Sequence, residues 1–387
     1  MGRLDGVIYT HNHADHVFGG AGLHTDVDLA VFAHETTETY IDNVVNMLRP
    51  IIATRSARAF GSDLPRRGDD AVINAGIGPF LEISANTGTV GLVRPTVTFG
   101  ETLETTLCGI DVVMQHAPGE SDDQIYVWLP ELRTLFPGDN IYKAFPNLYA
   151  IRGTRNRDVL AWAASLDRMR TLGADYLVPS HTGFLAGRDE IAETLTAYRD
   201  AIQFVHDQTV RGMNAGLMPD EIADSVELPP HLAEHPYLQE VYGTVAWSVR
   251  GIFHGYLGWF SGDASELDPA SRSERATAMV ELAGGRAALL KAAREKFDEG
   301  QYSLASEFAG HLVALDDNHR EARQLRHDAF RALADQSTSA NARHYYLTSA
   351  LESLGALTVE GAPTIDERVR ARIYSIPIEN FLAAMPT

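Results

Sequence analysis

Cysteine is almost missing from this 387-residue chain. Cys108 stands alone, so no disulfide can form within it, and cysteine-based zinc knuckles are excluded. Any tightly held metal must rest on histidine and carboxylate side chains. Long apolar runs are also missing: no stretch approaches the roughly 18–20 continuous apolar residues of a membrane-spanning helix. The opening residues lack the charged-then-apolar layout of a secretion signal. Basic residues are scarce, 32 Lys and Arg against 52 Asp and Glu, and the formal charge of −20 repels a phosphate backbone and an anionic bilayer alike. That balance argues against nucleic acid as a partner. With 45% hydrophobic residues the chain can still bury a sizeable core, and its length allows two or three domains.

The run Gly6 to Thr10 reads as a short buried strand that delivers directly into a loop, His11 to Gly20. Ala33 to Arg58 has helical spacing with Pro50 as a kink, and Ser62 to Pro79 reads as a long loop. From Leu92 to Leu135 short strands follow one another: VRPTVTF, LETTLCG, IDVVMQH, QIYVWLP and RTLF. Asp158 to Leu172 is a helix stopped at Gly173, and a strand at Tyr176 to Pro179 leads to His181. After about Asp189 no strand pattern remains, which sets a first domain boundary near residue 190; beyond it, loops are expected at 212–219, 228–236 and 261–271. Ala287 to Leu333 carries small and aromatic residues at the spacing of helical hairpins, either one or two degenerate tetratricopeptide-like pairs or an ordinary bundle.

The chemistry is densest in THNHADHVFGG, where His11, His13, Asp15 and His16 share one tight loop. Imidazole and carboxylate donors suit zinc or a similar divalent ion. Residues two apart in a short loop can point the same way, so His11 pairs with His13, while the adjacent Asp15 and His16 form a separate pair. A lone histidine is more often a core or surface residue, but three histidines and an aspartate at a strand end rarely are.

This order of residues resembles the HxHxDH motif of the metallo-β-lactamase superfamily, and the resemblance implies further ligands after later strands. HAPGESDDQ resembles the superfamily's PG-His turn with Glu120 where His is usual, the pattern of the alkyl sulfatases, with His116 as a rival ligand. Asp139 in FPGDN stands where a carboxylate bridges two metals, although alkyl sulfatases generally carry Glu there. His181 in VPSHTGF completes the second metal with Asp15 and His16. The resemblance thus implies two zinc ions per chain, held by His11, His13 and Glu120 and by Asp15, His16 and His181, with Asp139 between them. Asp15 and Asp139 would be the catalytic carboxylates. NLYAIRGTRNRD resembles the family's sulfate-binding stretch, with Arg152 as the main anion holder and Asn147 and Arg157 as helpers.

Further on, LPPHLAEHPYLQEVYGTVAWSVRGIFHGYLGWFSGD is similar to the helical dimerisation region of the same family. The expected architecture is therefore an α/β (αββα) sandwich over 1–190, apparently without its first strands, then an all-α dimerisation domain over 191–365. Residues 366–387 would be a linker towards a sterol-carrier-like domain. Only Met1 to Thr10 precede the histidine loop, so Met1 reads as an internal start and this chain alone is expected to be poorly stable or weakly active. The implied activity is hydrolysis of a small alkyl sulfate by a homodimer. The alternatives are a lactonase or thioesterase on the same scaffold, or a helical interaction module with a vestigial metal domain.

Overall fold

The computed structural model describes Leu4 and residues 6–23, 29–79 and 91–359. The expected linker at 366–387 lies outside the described residues. Three parallel strands, β1 (Gly6–Ile8), β2 (Ala30–His34) and β3 (Val97–Phe99), form one sheet in that order. The other sheet runs β4 (Thr102–Leu107), β5 (Ile110–His116), β6 (Ile125–Leu129), β7 (Thr134–Phe136), β8 (Tyr176–Leu177) and β9 (Leu185–Ala186). It is antiparallel except where β7 and β8 run parallel.

Strand alternation builds the layers, because successive side chains point to opposite faces. On β2, Phe32 turns inward and packs with Phe99, Val112, Met114, Ile125 and Val127, so the two sheets stack face to face. Val31 and Ala33 turn the other way and meet Val17 of α1 (Ala14–Val17) and Ile41 of α2 (Thr37–Asp42). On β6, Tyr126 and Trp128 face outward onto α4 (Val159–Thr171), where Trp162 and Leu166 are fully buried. Helix, sheet, sheet, helix is the resulting order of layers, as expected.

The segment expected as one kinked helix from Ala33 divides differently. Ala33 and His34 finish β2, and helix begins only at Thr37. The strand escaped the sequence reading because its run AVFAH is apolar on both faces and therefore shows no alternation. Pro50 is the second residue of α3 (Arg49–Phe60), directly after a π-helical turn over Asn43–Leu48. Proline has no N–H to donate, and the wider turn absorbs the missing bond.

Beyond β9 the chain is helical: α5 (Arg188–Asn214), α6 (Pro219–Ser225), α7 (Pro230–Ala233), α8 (Val245–Leu257), α9 (Arg272–Leu282), α10 (Arg286–Asp298), α11 (Tyr302–Leu315), α12 (Arg320–Gln336) and α13 (Ala340–Leu354). The expected loop at 228–236 holds the single turn α7. Ile191, Leu195, Tyr198, Ile202 and Val205 recur every three or four residues on α5 and share one core with α4, α8 and the second sheet. Packing is therefore continuous across residue 190, although strand gives way to helix there. Helices α10 with α11, and α12 with α13, make two successive hairpins. The last is fastened to α3, where Arg58 grips Glu352 at 2.7 and 3.0 Å and Asn341 Nδ2 donates to the Ala59 carbonyl at 2.8 Å. No helix among the described residues is long and apolar enough to cross a membrane.

Candidate metal centre

The first loop is held rigidly before any functional residue appears. Tyr9 N–H donates to the Phe32 carbonyl, and the Thr10 carbonyl accepts from Ile125 N–H, both at 2.9 Å, so the end of β1 is stitched to both sheets. His11 follows, fully buried, with Nδ1 against the Thr10 hydroxyl at 3.1 Å. Its Nε2 is thereby aimed at Asp139 Oδ2, 3.8 Å away. His13 precedes α1, whose first turn carries Asp15, placed favourably at the positive end of the helix. His16 is one residue further, and Val17 anchors the helix in the core.

Asp139 lies on a one-turn 3-10 helix, Gly138–Asn140, just past β7. Gly138 has φ +61°, and a β-carbon there would run into the Gln124 amide and press on Thr10 at 3.1 Å. Glycine makes that turn without strain, and any larger residue would have to displace Gln124. Glu120 comes from the turn after β5: its N–H donates to Asn140 Oδ1 at 3.1 Å, and Asn140 Nδ2 donates to the Ala117 carbonyl at 2.7 Å. His181 follows β8, and the backbone at Thr182 is left-handed, with φ +69°. A β-branched residue adopts that conformation only under constraint from its surroundings. Here its hydroxyl accepts from Lys143 N–H at 3.1 Å.

Loops from four stretches of chain thus converge. His16 Nε2 lies 3.4 Å from both Asp15 Oδ2 and Asp139 Oδ2, and His181 Nε2 lies 3.2 Å from the same two oxygens. His13 Nδ1 is 4.0 Å from Glu120 Oε1. Three overlapping groups have ligand atoms within 4.8 Å of one another: His11, His16 and Asp139; Asp15, His16 and His181; and His13, Glu120 and Asp139. Asp139 belongs to two of them, on either side of the cluster.

The buried donors fit a cation. His11 Nε2, His16 Nε2, His181 Nε2 and Asp139 Oδ1 are buried without a hydrogen-bond partner, a costly arrangement unless they share a ligand. Burial, helped by the nearby His16, lowers the His11 pKa to about 3, and burial likewise holds His13 well below the ordinary imidazole range, so both keep a lone pair for a metal. Burial also opposes charge on His16 and His181, but Asp139 and Asp15 outweigh it and raise both to about 10. A divalent cation would replace those protons.

His116 does not join the cluster. It stacks on His34 with ring centres 4.0 Å apart and bonds the Asp122 carbonyl at 2.8 Å. Arg152 reaches the cluster, with Nη2 3.3 Å from His13 Nε2. Asn147 is buried behind it, with Oδ1 unpartnered. Arg157, expected as a helper for the sulfate, meets Glu120, with Nη2 2.9 Å from Oε1 and Nη1 donating to the Asn147 carbonyl. Sequence reading missed Asn140 and also Tyr142, whose hydroxyl donates to Glu120 Oε2 at 3.2 Å and accepts from Asn147 N–H at 2.8 Å. Asp123 is fully buried and accepts from Asn12 of the histidine loop and from Ser121.

Layers and ligand cluster together define a metallo-β-lactamase domain joined to a helical one. Residues 2–181 match the family model of the metallo-β-lactamase superfamily, and residues 218–355 match that of alkyl sulfatase dimerisation. A linear primary-alkylsulfatase of a Pseudomonas species is 40% identical over 382 residues, covering 96% of this chain and 71% of that protein. An alkyl/aryl-sulfatase of Saccharomyces cerevisiae is 31% identical, with 89% of this chain and 54% of that one aligned. The solved structure of the inverting sec-alkylsulfatase Pisa1 from Pseudomonas superimposes with a TM-score of 0.88 at 29% identity, over 93% of this chain and 58% of that chain. The chain belongs to the alkylsulfatase family.

Proposed function

We propose that the chain hydrolyses sulfate esters of hydrophobic alcohols, releasing the alcohol and inorganic sulfate, with residues 1–190 carrying the chemistry and 191–365 pairing two subunits. The observation that carries this reading is the convergence of unpartnered His11, His16, His181 and Asp139 atoms on one place, with the Arg152 guanidinium 3.3 Å from His13 at its edge. His11, His13 and Glu120 would hold one zinc ion, Asp15, His16 and His181 a second, and Asp139 both. Two bound zinc ions would supply the charge that brings a water's pKa near neutral.

The protein's own groups do the rest. Arg152 offers two parallel N–H donors that match a tetrahedral anion. Asn147 is fixed through its backbone by Tyr142 and Arg157, which pre-positions the loop carrying Arg152. Asp15 is the most exposed of the cluster's carboxylates. The test pairs elemental analysis with turnover. About two zinc per chain and release of sulfate from dodecyl sulfate are expected, in preference to hydrolysis of an acyl thioester; metal-free protein, or preference for the thioester, would overturn the proposal.

A further inference from the structure

Three carboxylates, Asp15, Glu120 and Asp139, crowd this cluster, and each added negative charge weakens the pull of bound cations on water. Glu120 differs from the other two in having a buried cation of its own. Arg157 is 2% exposed in its side chain, Glu120 is 3%, and they meet at 2.9 Å. Tyr142 occupies the other Glu120 oxygen, and the second Arg157 terminal nitrogen donates to the Asn147 carbonyl. Both terminal nitrogens of Arg157 thus face protein groups.

We infer that Arg157 is a positioning residue that makes Glu120 act as an electrically neutral ligand, so that the pair stands in for a single imidazole. This rests on the metal reading above. A carboxylate paired with a guanidinium carries no net charge, and it still presents one oxygen towards His13 and Asp139. Each partner is then wrong without the other: a lone buried arginine repels the cations, and an unpaired Glu120 is a buried charge without its partner.

The experiment is a two-by-two set, wild type, Arg157→Met, Glu120→His and the double variant, with Arg157→Lys as a charge-conserving control. Retained zinc is measured against a chelator series, and thermal midpoints are measured with zinc bound. Each single change should weaken zinc retention by about tenfold or more, the usual effect of losing a group that orients a ligand. The double variant should recover most of that loss, and Arg157→Lys should lose less than Arg157→Met. Losses that simply add in the double variant overturn the inference. So does Arg157→Met retaining zinc like wild type with only KM raised, the signature of a substrate-holding arginine. Should Arg157→Met fail to fold, the double variant retaining more zinc than Glu120→His supports the pairing, and equal or lower retention refutes it. Wild-type protein without zinc would bring down the metal reading itself, a separate outcome.

Discussion

Replacing Asn140 with alanine would test how the metal centre is held together. Its amide spans two loops, accepting from Glu120 N–H and donating to the Ala117 carbonyl, while its own carbonyl accepts from Trp162 Nε1 at 3.0 Å. Truncation strands one buried amide and one buried carbonyl, each worth ~1–3 kcal/mol, or ~2–6 kcal/mol together. Locally that corresponds to exchange of the Glu120 amide ~30-fold faster or more, since 1.4 kcal/mol is about a factor of ten. Hydrogen exchange read by mass spectrometry on peptides covering residues 117–124 measures it directly, and zinc retention should fall in parallel. Asn140→Asp should be worse than alanine, because it turns a carboxylate oxygen against the Ala117 carbonyl and adds charge beside Asp139. Exchange within threefold of wild type, with zinc unchanged, would refute the idea that this amide couples Glu120 to Asp139.

Alanine at Asp15 or His16 should abolish sulfate release while the far-UV dichroism of the helical part stays intact; retained turnover contradicts the assignment. Arg152→Met should lower kcat/KM for alkyl sulfates by roughly 10–150-fold, from a lost charged bond of ~1.5–3 kcal/mol, and lysine should rescue it only partly. A third prediction concerns acid. Burial, opposed by a hydrogen bond to the Ala59 backbone, lowers the His344 pKa to about 4, and its Nε2 accepts from Ile73 N–H at 3.2 Å. The folded protein therefore binds this proton less readily than the unfolded chain, whose histidine titrates near 6.5. Its contribution is complete above pH 6.5 and is lost as pH falls towards 4, up to about 3 kcal/mol. Melting midpoints of wild type and His344→Gln should converge as pH drops through that window, and parallel curves would exclude His344 as the source.

The histidine loop was legible in the sequence because its chemistry is packed into six residues, and Asp139 and His181 because the runs around them resemble the family's. Position in the loop, however, says nothing about burial. Arg152 and Arg157 look alike in the text, yet one guanidinium meets His13 and the other is locked beneath Glu120. Asn140 and Tyr142 read as ordinary loop residues, and only the third dimension shows that they bond across to the turn bearing Glu120. The helical character beyond Asp189 was plain from its periodicity. What periodicity could not convey is that α5 lays its apolar stripe on the same core as α4 and the second sheet.

The clasp between Ala59 and Asn341 bears on biosynthesis. These residues are 282 positions apart, so the bond waits until α13 has left the ribosome. At elongation rates of ~5–20 residues per second, the segment ending at Ala59 emerges at least ~14 s before its anchor. For that interval α3 lacks its final seat, and chaperone demand should concentrate on this early-made, late-secured stretch.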